Sequence, residues 1–144
     1  MLREYKDRIR PIVISIIRKN DEILVYQRKD DITKEIFYRL IGGCIEFTET
    51  SDVALKREFK EEISAEIEDL ELLSTFESIF TFNDTSMHEI VFLYESKFKL
   101  KDLYNKDTLL GIEGKRKFNA VWKKTSDFIN KKDILYPETA IDFL

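Results

Sequence analysis

Cysteine, histidine, proline and glycine are all scarce in this chain of 144 residues, which holds one, one, two and four of them. A single cysteine, Cys44, excludes an internal disulfide framework, and beside a lone histidine, His88, it leaves a structural zinc site short of ligands. Such cysteine usage leads us to expect a reducing, cytoplasmic setting. So little proline and glycine leaves no linker, repeat or low-complexity tract. No run approaches the roughly 20 apolar residues of a membrane-spanning helix, so no membrane partner is expected. Basic residues are not in excess either: 24 Lys and Arg face 28 Asp and Glu, a net charge of -4. That balance argues against a module held to DNA through its phosphates and makes a long RNA unattractive.

What the chain does have is enough apolar sequence to bury one core, 43% against 36% charged, and we read residues 1–144 as a single domain. Near the start, Arg3, Lys6, Arg8 and Arg10 precede the apolar run from Pro11 to Ile17. The pattern has the look of a secretory leader, but the run is short, Arg18-Lys19 follows at once and no small-residue cleavage site is present. A β-branched run of this kind is expected to be a buried strand. Ile23 to Gln27 is expected to pair with it as a hairpin, and Phe37 to Ile41 is a short strand ending at Gly42-Gly43. Ser51 to Ile63 is the clearest helix, with Ser51 as its expected cap. Leu72 to Phe82 and Glu89 to Phe98 form a long antiparallel hairpin around Asn83-Asp84-Thr85-Ser86. Lys101 to Lys117 reads as irregular, Ala120 to Trp122 as a strand, and short helices are expected near Ser126 to Asn130 and from Pro137.

The helix carries an arrangement that stability alone disfavours. Glu58, Glu61 and Glu62 stand at i, i+3 and i+4, and each like-charged pair costs a few tenths of a kcal/mol. Leu55, Phe59 and Ile63 form an adjacent apolar stripe for packing, while Ser51 and Ala54, one turn back, are expected to leave open room above the acids. A hard divalent cation reverses the sign of the carboxylate repulsion, because Mg²⁺ takes oxygen ligands from a few carboxylates and from substrate phosphates. Left to itself, such a face is also what a solvated surface looks like, with Lys56, Arg57 and Lys60 balancing the charge.

The surrounding sequence separates these readings. The 23 residues from Gly43 to Ala65 place Gly43, Glu49, Arg57, Glu58, Phe59, Glu61 and Glu62 at fixed spacings. This resembles the Nudix box: Gly, five residues, Glu, seven residues, Arg-Glu, an apolar residue, any residue, Glu-Glu, any residue, Gly and an aliphatic. Ser64 departs from the pattern where glycine is expected, and Ala65 is a small version of the last apolar position. The departure bears on how the helix ends and not on the acids. The resemblance implies an α/β fold, the Nudix α/β/α sandwich with a mixed β-sheet and a catalytic loop–helix–loop. It implies hydrolysis of the diphosphate (pyrophosphate) linkage in a nucleoside diphosphate derivative, with Mg²⁺ or sometimes Mn²⁺. Carried onto this chain, Glu58, Glu61, Glu62 and the Gly42 carbonyl are implied metal ligands. Arg57 and Glu49 are implied to pair and hold the helix to the glycine loop. Many relatives dimerise, so the resemblance leaves a homodimer open.

Water attack at phosphorus needs a proton acceptor, which in this family is a box glutamate or an acid on a later loop. Glu113, framed by Gly111 and Gly114, is the first later candidate and Glu77 the second, against the plainer reading of both as surface acids. Arg39 and Gly43 are the candidate substrate contacts, since a guanidinium matches phosphate with two hydrogen bonds, although an ion pair is an equally good account of Arg39. Glu46 is either an assisting ligand or loop surface. Phe76, Phe80 and Phe82 alternate along one strand face and read as core, whereas Tyr26, Phe37 and Tyr38 are alternative stacking platforms. Cys44 reads as filler and His88 receives no role. The proline that tends to follow the box in enzymes acting on ADP-ribose is missing, as is the tyrosine of dinucleoside polyphosphate hydrolases, which lowers those two substrates without removing them; a nucleoside triphosphate, a nucleotide sugar and an RNA 5′ end stay open as well. Two rival readings share the fold. A non-catalytic nucleotide-binding module usually lacks box acids that this chain keeps, and a prenyl diphosphate isomerase needs a catalytic cysteine in a longer chain.

Overall fold

The computed structural model describes residues 7–144, so Arg3 and Lys6 lie outside the described residues. Eight strands and two helices follow one another as β1 (Ile9–Lys19), β2 (Glu22–Lys29), β3 (Ile36–Cys44), α1 (Ser51–Ile63), β4 (Ile67–Phe82), β5 (Thr85–Phe98), β6 (Thr108–Glu113), β7 (Arg116–Lys124), α2 (Thr125–Ile129) and β8 (Leu135–Tyr136). Short 3-10 turns occupy Lys101–Asn105 and Glu138–Phe143. The strands run in the order β4-β5-β1-β3-β2-β7-β6, with β8 beside β3. The sheet is mixed: β1 with β5 and β3 with β8 are parallel, and the other pairs are antiparallel. No helix among the described residues is long and apolar enough to cross a membrane.

The apolar run in β1 is continuous because both faces of that strand are covered. Val13 and Ile17 join Leu55, Phe59 and Ile63 of α1 in one core cluster. Ile12, Ile14 and Ile16 point the other way and pack with Phe128 of α2 and Ala140 of the last turn. Helices on two sides of a mixed sheet make the expected α/β/α sandwich. The long β4–β5 hairpin also matches expectation, with Phe82 opposite Thr85 at its tip.

Three expectations need correction. The β1–β2 hairpin is paired only at Arg18 with Ile23 and Lys19 with Glu22, because β3 inserts between the two strands and takes their ladders. Lys101 to Lys117 is not irregular throughout: Thr108–Glu113 is β6, which pairs with a β7 longer than expected and turns at Gly114. Ser51 does not cap α1. Thr50 is the flanking residue, no side chain caps that end, and the Ser51 hydroxyl shares a hydrogen bond of 2.6 Å with the Tyr94 hydroxyl.

At its other end, α1 closes on Ser64, where the Nudix pattern has glycine. Ser64 adopts the left-handed conformation (φ 53°, ψ 36°), its N–H bonds the Lys60 carbonyl, and the Ala65 N–H reaches back to Phe59. A Cβ in that conformation costs on the order of 1 kcal/mol. Ser64→Gly is therefore expected to raise stability by about 1 kcal/mol, read as a higher urea midpoint at unchanged slope. A lower midpoint would mean that the serine side chain contributes a bond that outweighs the strain.

Candidate active site

The site forms where β3 runs out beside α1. At Gly42 an added Cβ would stand 1.9 Å from the Val13 carbonyl oxygen, so the approach of β1 admits no side chain there. At Gly43 it would stand 2.4 Å from the Glu58 carboxyl carbon, so this glycine gives Glu58 its space. The acids on α1 then divide. Glu58 and Glu62 are turned inward with Glu62 buried, whereas the Glu61 side chain is 60% exposed. Ala54 and Ser51 are not the open ground expected above them: Ala54 is fully buried in the core, because it faces the sheet.

Arg57 joins these parts. Its Nε and Nη2 donate to the two Glu49 oxygens at 2.7 and 2.8 Å, and Nη2 also reaches the Cys44 carbonyl at 2.9 Å. Nη1 donates to Glu58 at 2.9 Å and to Glu61 at 3.2 Å, and Glu46 stands farther off at 3.7 Å. A two-bonded guanidinium–carboxylate pair fixes orientation as well as charge. The Arg57 hydrogen bonds hold the Glu49 carboxyl down to about 2. Burial pushes the Glu58 carboxyl up against the opposing Arg57 contacts, and it pushes Glu62 up further, aided by the neighbouring Glu58 and Glu113 charges.

A cavity of about 1210 Å³ opens on this cluster. Glu58, Glu61 and Glu62 line one side, and Glu113 and Arg116 of the β6–β7 turn line it as well. Glu113 sits at the end of β6, in a tight turn and not in a loop long enough to fold over the site, and its Oε2 accepts a 3.1 Å bond from Arg116. Glu77 is exposed on β4 and does not line the cavity, because strand alternation turns it away. Arg39 does line it, tied through Nη2 to Glu89 Oε1 at 3.2 Å. Burial lowers the Arg39 pKa and the Glu89 carboxylate more than restores it. Tyr26, Phe37, Phe80 and Phe82 supply aromatic wall, and Tyr38 does not take part.

Glu89 escaped sequence reasoning. Its side chain is fully buried and is shared between Arg39 and a close contact with Arg10. A signal was available: Met87, Glu89, Val91 and Leu93 have the same parity on β5, and a lone acid on the buried face of a strand calls for a cationic partner.

The donor set of hard carboxylate oxygens suits Mg²⁺ or Mn²⁺. Glu58 and Glu62 fit such an ion, because the buried Glu62 has no ion-pair partner among the described residues and the half-buried Glu58 beside it shares Arg57 with three other carboxylates. Glu61 faces Arg57 and would exchange it for the ion. Among the described residues, no three His, Cys, Asp or Glu side chains converge as they stand.

A family model for the NUDIX domain matches residues 7–127. Solved structures agree on the fold. A MutT NUDIX hydrolase from Burkholderia pseudomallei is 20% identical, with 85% of this chain and 88% of that one covered and a TM-score of 0.60. A mutator MutT protein from Bacillus halodurans is 17% identical over 94% and 81% of the two chains, with a TM-score of 0.65. A NUDIX-family hydrolase from Clostridium perfringens is 18% identical over 93% and 92%, with a TM-score of 0.61. No curated protein matches. The chain belongs to the Nudix family of hydrolases, whose members cleave pyrophosphate linkages and generally use divalent metals.

The depressed Glu49 carboxyl sets a pH dependence. A pKa held below its ordinary value of 4.5 contributes stability that is present above that pH and is lost as pH falls toward 2. The parent is thus expected to lose melting temperature more steeply than Glu49→Gln between pH 4.5 and 2. Parallel slopes would show that the Arg57–Glu49 pair contributes nothing.

Proposed function

We propose that residues 1–144 form a single domain that hydrolyses the diphosphate linkage of a small nucleoside diphosphate derivative with Mg²⁺ or Mn²⁺, in the cytoplasm. The observation that carries this reading is the adjacent pair of carboxyls, half-buried Glu58 and buried Glu62, lining the same cavity as Glu113. Glu58, Glu62, Glu61 and the Gly42 carbonyl would hold the ion. A divalent cation held by these residues would supply charge neutralisation at the diphosphate and a more acidic water.

The chain's own residues do the rest. Arg57, locked to Glu49 and to the Cys44 carbonyl, keeps α1 in register with the glycine turn, so the carboxylates keep their aim. Gly43, with no side chain, gives the Glu58 carboxylate its place at the cavity wall, where a substrate contact is also assigned to this turn. Arg39, braced by Glu89, offers its remaining N–H groups to a phosphate. Glu113 has one oxygen engaged by Arg116, which leaves Oε1 to take the proton of the attacking water.

A screen of nucleoside diphosphate derivatives with Mg²⁺, coupled to a phosphatase and read as released phosphate, is expected to find turnover. Glu62→Gln should cut it at least 100-fold while the melting temperature of the metal-free protein holds or rises, because a neutral amide avoids the cost of burying a charge there. Near-parental turnover in that variant would remove Glu62 from the ligand set.

Glu113→Gln separates the two candidates for the base. A fall of 100-fold or more in kcat, with the acid limb of the pH–rate profile lost, is the expected result. Parental kcat would place the proton acceptor on α1.

A further inference from the structure

Of the three alternative stacking platforms, Tyr26 on β2 cannot act as one. The residue is only 6% exposed, with the Phe118 ring 4.7 Å away and the Arg116 guanidinium 5.9 Å from the centre of its own ring. No face is left for a base. Yet Tyr26 lines the cavity, and its hydroxyl makes no hydrogen bond to a described residue and is not sealed from that space. A phenol so deeply placed ordinarily has a partner, because an unpaired polar group loses water and gains nothing. The hydroxyls of Tyr38, Tyr94, Tyr104 and Tyr136 each have one. Tyr26 is the exception.

Strand register gives the hydroxyl its company. Tyr26 pairs with Arg39 across β2 and β3, so the two side chains stand side by side on the cavity face. A phosphate oxygen held by Arg39 therefore comes within reach of Tyr26. Burial pushes the phenol pKa up, and the Glu113 and Glu62 charges push it further, against Arg39 and Arg28. The group keeps its proton and can only donate to an anion. Neither acid accepts that proton in a hydrogen bond, and Glu113 already has Arg116 on one oxygen. An anionic oxygen from a ligand is the acceptor that this donor lacks.

We propose that the Tyr26 hydroxyl donates a hydrogen bond to a non-bridging oxygen of the bound diphosphate, beside Arg39, and is a substrate-binding group of this site. The proposal deepens the hydrolase reading and rests on it for the identity of the ligand.

The test is calorimetric titration with methylenediphosphonate in the presence of Mg²⁺, a diphosphate mimic whose P–C–P bridge is not hydrolysed. Tyr26→Phe removes the hydroxyl and keeps the ring packing. It is expected to weaken binding by about tenfold, as the loss of a hydrogen bond to a charged group does, while the melting temperature of the ligand-free protein holds or rises. For the substrate found in the screen, kcat/KM should fall by a similar factor. Equal affinity in parent and variant overturns the proposal. So does a loss of affinity that comes with a lower melting temperature, which would make Tyr26 a structural residue. A parent that does not bind the mimic overturns it as well. A parent that binds the mimic and turns over no nucleotide would count against the hydrolase reading and leave this contact standing.

Discussion

Glu58, Glu61 and Glu62 would push one another, and their helix, away from the cavity if nothing opposed them. Arg57 opposes them from within the same helix. One guanidinium engages Glu49, the Cys44 carbonyl, Glu58 and Glu61 together, which ties α1 to the strand end that carries the two glycines. The planar fork is what makes this feasible: five N–H groups in fixed directions satisfy several acceptors at once, which a lysine ammonium on a flexible stem does not. Helix spacing keeps Glu58 and Glu62 neighbours, and that tie fixes them against the glycine turn.

The glycines extend the same constraint into the sheet. β3 pairs with β2 from Ile36 to Leu40 and with β1 from Ile41 to Cys44, so its glycine end is held by β1. Gly42 lets the Val13 backbone come close, and Gly43 lets the Glu58 carboxylate do so. Packing of Leu55, Phe59 and Ile63 sets the distance of α1 from this surface, and the acids inherit it. The chemistry of the site therefore depends on core packing as well as on the residues that would touch substrate.

Much of this was legible in the residue order, and the reasons differ by element. The span Ser51–Ile63 was readable because a helix is written in local spacing, and the Arg57–Glu49 pair followed from the resemblance to a known box. The β4–β5 hairpin was readable because its turn residues lie between two strongly β-prone segments. The insertion of β3 between β1 and β2 was not, since pairing partners far apart in sequence leave no periodic trace. Glu113 looked like a loop residue because glycines flank it, yet Gly111 serves a different end: a Cβ there would press into the Phe118 ring at 2.2 Å. Glu77 seemed near the site by sequence distance from the box, and strand parity sends it to the opposite side.

The buried set formed by Arg10, Glu89 and Arg39 has a consequence for how this protein can diverge. One carboxylate holds two guanidiniums, from three different strands. Replacing Glu89 alone strands two cations in a space with little water, and replacing either arginine alone weakens the hold on a carboxylate that has no exit to solvent. Drift through single substitutions at these positions thus crosses poorly folded intermediates. Homologues that abandon the arrangement are expected to differ at positions 10, 39 and 89 together, leaving a correlated imprint in the lineage.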